Sequence, residues 1–553
     1  MKRTAKRSFI WVIVLGLLSP ALTAQKDWPR QGKTDIRALL ENEPPHTYDV
    51  LHYRFDWTLD YVRHHIRGRV TVEARSMTPE LRIVDLHLDH NMTVTAIKSG
   101  TQALGFMHTG RQLTVNLPRA VPENSLFEIT IDYHGHPQAG LNFSTHETSP
   151  IIWSLDEPAD ARYWFPCYDY PSDKATADIR ITVPSSMTAA SNGTLTSVLV
   201  NPGDTVTYIW REEYPISTYL IFVAATDYKV LADTYTCGGD SMPLSFFVYP
   251  EHMEAAREDF SITVSMIEYF VDLFGDFPFF KEIYGMAEIP GRTSMEHQTC
   301  TSIADQLVLG THAYDRIIAH ELAHQWWGDL VSPKEWADIW LNEGFASYSE
   351  ALWEEHLYGF PGLRTTMADF KERYFRDHQG NEHPIYDPPE GHLFCLIEYK
   401  KAAWILHMLR HLTGEQDFWE ILRTWGEDFA YAAADTEDFR AVCEKITGED
   451  LKGFFDQWIY GYGFPQFLVR WTSRNGITQV VINQDQNNQT FSMPLDIRFE
   501  LPSGSRTETV WVNEKTETFS FPLSEIPSDV LIDPDGWALC KVTKLRKKGG
   551  ARR

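Results

Sequence analysis

The period of the apolar residues changes twice along this chain, and those changes limit its fold more than any other feature. From about residue 45 to 230 apolar and polar residues alternate: Tyr53, Phe55, Trp57 and Leu59, then Val70, Val72 and Ala74, then Ile129, Ile131 and Tyr133. Successive side chains of a strand point to opposite faces, so a period of two broken by Gly, Pro, Asn and Asp predicts a large antiparallel β domain. Near residue 250 the spacing lengthens. Phe260, Val264, Ile267, Val271 and Phe274 fall on one helical face and Gly275 ends it. Helical patterning persists to about 460, where Gly461, Gly463 and Pro465 close it. Alternation then returns in Leu495, Ile497, Phe499 and Leu501, in Val510 and Val512, and in Phe519 and Phe521, with Ser503-Gly504 as a turn. Short strands over such a stretch read as a small β-sandwich. The expected fold class is multidomain α+β: an N-terminal β domain over 25–230, a mainly helical domain over 231–465, a β-sandwich over 466–540, and a basic, disordered tail over 541–553. A chain of 553 residues is too long for one core, which agrees with that division.

Both ends carry signals of their own. Lys2, Arg3, Lys6 and Arg7 precede an apolar run from Phe9 to Leu18, Pro20 breaks it, and Ala21, Thr23 and Ala24 are small. That is the layout of a secretory signal peptide over 1–24 cut after Ala24, which predicts an exported protein, periplasmic or secreted. The run is too short to span a bilayer, and no later stretch is long and apolar enough, so no integral membrane segment is expected in the mature chain. A net charge of −26 repels nucleic acid backbones, which excludes DNA and RNA as natural partners. The exception is the C-terminal end, where seven of thirteen residues from Lys541 are Lys or Arg, a run usually solvated. Six cysteines without C-x-x-C spacing make neither a disulfide framework nor a thiolate zinc site. Sequons begin at Asn91, Asn142, Asn192 and Asn488 and matter only in a host that glycosylates.

The chemistry lies in the helical region, in His320-Glu321-Leu322-Ala323-His324. Residues four apart share a helix face, so both imidazoles can reach one metal ion, and Glu321 can take a proton from a metal-bound water. A zinc hydrolase needs a third protein ligand and an open fourth position. Eighteen residues separate His324 from Glu343 in Trp340-Leu341-Asn342-Glu343-Gly344-Phe345-Ala346, and the helical pattern of Tyr348, Ala351, Leu352 and Trp353 would run beside the first helix. Glu343 in its first turn completes a His₂Glu set.

These residues, with Arg162-Tyr163-Trp164-Phe165-Pro166-Cys167, Ser191-Asn192-Gly193 and Phe455-x-x-Trp458 before Gly463-x-Pro465, resemble the M1 family of zinc aminopeptidases, a branch of the gluzincins, over nearly the whole mature chain. The resemblance implies a thermolysin-like catalytic domain, one Zn2+ per chain, and peptide substrates with a free N-terminus. It also implies roles for further residues. Thr293-Ser294-Met295-Glu296-His297 stands in the place of the family's Gly-x-Met-Glu-Asn motif. Glu296 would accept hydrogen bonds from the substrate ammonium, with Glu157 assisting, while Ser294 and Met295 would pair with the peptide backbone as an added strand. Tyr399, in Glu398-Tyr399-Lys400, matches the tyrosine that donates to the oxyanion. Because many relatives carry a further C-terminal helical domain, the form expected is a bacterial-type one of three domains with a more open cleft.

The sequence departs from the family pattern at Thr293 and His297, where Gly and Asn are usual, at Leu155, near Glu157, where Gln is common, and at Lys401, where Gly often follows the motif of Tyr399. These bear on specificity rather than on the zinc set. Two other readings use the same residues: a zinc endopeptidase, which would lack the carboxylates for the amine, and a catalytically silent M1-like binding protein, which would have lost a ligand, the base or the tyrosine. Nothing singles out the epoxide hydrolysis of one branch of the family.

Overall fold

The computed structural model describes residues 46–377 and 382–545. The expected signal peptide lies outside the described residues, as does the end of the chain beyond Leu545. Among the described residues no helix is long and apolar enough to cross a membrane.

Tyr48–Asp60 lies at the centre of an eight-stranded sheet, antiparallel to His65–Ser76 with Phe55 opposite Val70. The alternating Tyr53, Phe55, Trp57 and Leu59 all point inward and are buried, as are Val70, Val72, Ala74, Ile129, Ile131 and Tyr133. The expectation of a purely antiparallel domain needs correction: Tyr48–Asp60 pairs parallel with Lys174–Pro184, Phe55 opposite Ile179. Parallel neighbours require a long crossover, and the intervening hairpins supply it.

The helical region rests on a sheet that periodicity could not reveal. Lys229–Cys237 and Asp240–Val248 form a hairpin, and Tyr284–Ile289 and Cys300–Ala304 extend it in parallel. Those last two strands are buried at every residue, so they carry no alternation. Helices follow: α1 (Met253–Asp259), α2 (Thr263–Phe274), α3 (Asp315–Ala323), α4 (Trp340–Tyr358), α5 (Phe360–Asp377), α6 (Ala402–Thr413), α7 (Glu415–Asp428), α8 (Thr436–Thr447) and α9 (Lys452–Trp458). Helix α2 stops at Gly275, whose φ of 99° suits glycine. Helix α4 is buried from Trp340 to Trp353, the central post against which α3, α5 and α6 pack.

The C-terminal strands form a four-stranded and a three-stranded sheet. Leu495, Ile497 and Phe499 are buried in one apolar cluster with residues of the helical region, so these strands share that core. The chain turns at Pro502-Ser503, with Leu501 paired to Gly504. The basic end is also corrected: Lys541–Lys544 is not a loose tail but an exposed strand, parallel to Gln466–Arg474. Its first ammonium lies 4.5 Å and 5.0 Å from the ring centres of Phe375 and Phe464. Lysines suit such an edge, because their charge blocks further pairing.

Candidate active site

Helix α3 carries His320 and Glu321, and His324 follows at its C-terminal end. His320 Nδ1 lies 3.0 Å from Glu350 Oε1 on α4, and its Nε2 lies 3.2 Å from Glu343 Oε2 in the first turn of α4. His324 Nδ1 donates to the Trp327 carbonyl at 2.8 Å, and its Nε2 is 3.2 Å from His320 Nε2 and 3.6 Å from Glu343 Oε2. Each Nδ1–H is thus committed to an oxygen, which leaves the Nε2 lone pair of both rings for an ion. The three facing atoms form a triangle with edges of 3.2, 3.2 and 3.6 Å. A tetrahedral ion with bonds of about 2.0–2.1 Å imposes edges of about 3.3 Å. The donor set therefore fits zinc.

The electrostatics agree. Glu157, Glu296, Glu321 and Glu343 are all buried, and ligand atoms of Glu296 and Glu321 lie within 4.8 Å of His324. Burial opposes a charge on His324, yet the carboxylates of Glu296, Glu343 and Glu321 push its pKa up to about 10. So dense a set of acids favours positive charge at its centre, which a divalent ion supplies.

The sequence-predicted amine site falls beside this triangle. Glu157, Glu296 and Glu343 bring carboxylate oxygens within 4.8 Å of one another. Neither oxygen of Glu296 accepts a hydrogen bond from the described residues, although both are buried. The two residues expected to pair with a peptide differ in their backbone surroundings. Met295 exchanges both backbone hydrogen bonds with Ser302, at 3.0 and 2.9 Å, so its polar groups are spent inside the protein. Ser294 lines the cleft, and its hydroxyl accepts from Ala304 N–H at 3.2 Å.

Tyr399 sits in a turn of π-helix, Ile397–Lys401, just before α6. Its hydroxyl donates to Glu343 Oε1, and its ring lies parallel to that of His320 with centres 6.0 Å apart. This reach depends on how closely α4 and α6 approach: a Cβ on Gly344 would stand 2.6 Å from that of Ala402. Sequence reasoning missed two supports. Glu350 lies two turns beyond Glu343, on the same face of α4, a spacing that could have flagged it. Lys400 donates to Glu350 Oε1 at 2.7 Å and had no signal beyond its adjacency to Tyr399.

Three of the departing positions, Thr293, His297 and Leu155, have physical accommodations. Thr293 lines the cleft with no left-handed backbone, the φ of 119° falling instead on Gly291. His297 is buried and stacks on Phe222 with ring centres 4.4 Å apart. Leu155 packs into the N-terminal core.

The model of the peptidase family M1 domain matches residues 259–458, and that of the peptidase M1 N-terminal domain matches 48–220, together more than half of the chain. The chain belongs to peptidase family M1. It is 28% identical over 384 residues to a glutamyl aminopeptidase of Rattus norvegicus, a match covering 65% of this chain and 40% of that protein. It is 31% identical over 334 residues to aminopeptidase M1-A of Oryza sativa subsp. japonica, covering 57% of this chain and 37% of that protein. The matches thus span less than half the length of these relatives. Among solved structures, an M1 zinc metallopeptidase from Deinococcus radiodurans superposes with a TM-score of 0.66 at 26% identity, covering 76% of this chain and 95% of that one. A Legionella pneumophila aminopeptidase A in complex with aspartic acid shares the fold at a TM-score of 0.80 and 18% identity, over 92% of this chain and 61% of that one. Membership of this family implies zinc, in agreement with the donor triangle.

Proposed function

We propose that this M1 protein is a zinc aminopeptidase that hydrolyses the first peptide bond of peptides with a free α-amine. The observation that carries the reading is the Glu296 carboxylate, buried without a hydrogen-bond donor among the described residues and close to the His324 and Glu321 ligand atoms. His324 Nδ1, 4.0 Å from Glu296 Oε1, donates to the Trp327 carbonyl instead, so the buried carboxylate still calls for a cation, and the α-ammonium of a peptide is one that also places the first carbonyl beside the ligand triangle. His320, His324 and Glu343 hold the zinc, which when bound acidifies a water and polarises a carbonyl. Glu321 takes the proton as water attacks and returns it to the leaving amine. The Tyr399 hydroxyl, released from Glu343, donates to the developing oxyanion, and Glu157 assists Glu296 in holding the amine. Buried carboxylates around the amine favour a charged terminus over a neutral internal amide, which makes an exopeptidase of a zinc peptidase.

The same proposal takes the C-terminal strands as a small β-sandwich and the chain as exported, the latter on its N-terminal sequence. Aminoacyl fluorogenic substrates and their N-acetylated twins, run with and without chelator and zinc add-back, test the activity. Hydrolysis of free amines alone, abolished by chelator and restored by zinc, is expected. Equal cleavage of acetylated peptides points instead to an endopeptidase, and inertness toward both to a silent scaffold.

A further inference from the structure

The cleft that opens beside the ligand triangle is lined by His320, Glu321 and Tyr399, but not by Glu157 or Glu296. If those two acids hold the first residue, the rest of the peptide lies in this cleft. Ile317, Phe370, Phe394 and Leu396 supply its apolar lining. Arginines line it as well, Arg292, Arg316 on α3, and Arg373 and Arg376 on α5, with the acids Glu350, Asp369 and Asp377 among them. In a chain of net charge −26, guanidinium groups gathered in one cleft stand against the general field. Two have acid partners, Arg373 with Asp369 at 3.1 Å and Arg376 with Asp377 at 2.8 Å. Arg316 is half-buried and has no acid partner within 4 Å among the described residues, although its charge acts on the Glu350 and Glu354 carboxylates of α4. It stands four residues before His320, on the same face of α3, so the helix holds it one turn from the triangle.

We propose that Arg316, with Arg373 beside it, forms a carboxylate-binding subsite on the leaving-peptide side of the scissile bond. The subsite favours short peptides whose free C-terminus falls there, or longer ones with an acidic side chain at the third residue. A guanidinium fork matches a carboxylate bidentately, and the apolar lining takes the second side chain. This inference rests on the aminopeptidase reading, and its test separates the two.

The substrates are Xaa-Phe-Ala, its C-terminal amide, Xaa-Phe-Glu amide and Xaa-Phe-Lys amide, where Xaa is the residue released fastest from fluorogenic substrates. With the zinc-loaded full chain, kcat/KM is expected to be about tenfold higher for Xaa-Phe-Ala than for its amide, mainly through KM. If the Glu amide shares the gain, side-chain carboxylates also serve; if it behaves as the Lys amide does, the subsite is for the C-terminus. Raising the salt concentration should shrink the acid-to-amide ratio. In Arg316→Gln the ratio should fall toward one, and in Arg316→Lys it should be partly kept. If Arg316→Gln does not fold, Arg373→Gln and the salt series carry the test. A ratio of one in the unmodified protein overturns the subsite. If no peptide is cleaved the aminopeptidase reading fails instead, and binding of Phe-Ala against Phe-Ala amide to the chelator-treated chain, by calorimetry, still decides the subsite: equal affinities overturn it.

Discussion

Lys400 and His320 share one oxygen of Glu350: the lysine Nζ lies 2.7 Å, and His320 Nδ1 3.0 Å, from Oε1. The residue after Tyr399 is thereby tied to the carboxylate that holds the His320 imidazole, a proposed zinc ligand. Burial alone would raise the Glu350 pKa, but the Lys400 and His320 charges hold it down at about 2. Glu350→Gln should leave the fold intact and weaken zinc binding by about 10- to 100-fold, since partners of ligating histidines carry that much of the affinity. Competition with a chelator of known affinity measures it. Unchanged affinity would show that His320 is oriented without Glu350.

Gly344→Ala and Gly426→Ala should have opposite signs. The added Cβ at Gly344 meets Ala402 at 2.6 Å, so α4 and α6 must part, at a cost of about 1–3 kcal/mol. At Gly426, within α7, the nearest atom is 3.9 Å away, an ordinary contact, so the better helix former should stabilise by up to about 1 kcal/mol. Urea denaturation of both variants decides the matter. Gly344→Ala should also lower kcat/KM, because Glu343 and Tyr399 are brought together by that same approach.

How much of this could be read from sequence depends on whether the signal was local. The alternation of Tyr53, Phe55, Trp57 and Leu59 is a local pattern that burial bears out, and the spacing of His320, His324 and Glu343 is another whose ligand atoms lie within 4.8 Å of one another. The strands Tyr284–Ile289 and Cys300–Ala304 were invisible, because a strand buried on both faces has no period to detect. Met295 was assigned to substrate pairing by analogy alone, and its partner Ser302 is a tertiary neighbour. Lys541–Lys544 looked like a solvated end because charge hides a strand that pairs only at its backbone.

Glu296→Gln should separate amine recognition from chemistry. The amide keeps the size and loses the charge that a peptide ammonium would meet. On free-amine substrates kcat/KM should fall by about 10- to 100-fold. Zinc content should match that of the parent, because Glu296 supplies none of the three facing ligand atoms. A variant as active as the parent would remove Glu296 from the amine site.

Acid should loosen the junction between α6 and the C-terminal strands through His407. This imidazole is fully buried, with Nε2 3.1 Å from the Gly536 carbonyl and Nδ1 3.2 Å from the Tyr348 hydroxyl, and it stacks on Trp537 with ring centres 4.5 Å apart. A neutral ring suits that setting: Nε2–H donates to the carbonyl and Nδ1 accepts from the hydroxyl. Burial, aided by the charges of Arg410, His411 and Lys371, lowers its pKa to about 3, against 6.5 when exposed. Between those values the unfolded chain binds a proton that the folded chain refuses, so stability is full above about pH 6.5 and falls as the pH drops toward 3. Over that whole range the loss is on the order of 5 kcal/mol. In His407→Gln, which cannot take up the proton, the unfolding free energy by urea should decline less steeply between pH 6.5 and 4.5, whatever the variant's stability at neutral pH. Parallel slopes for variant and parent would mean that other groups govern the acid response.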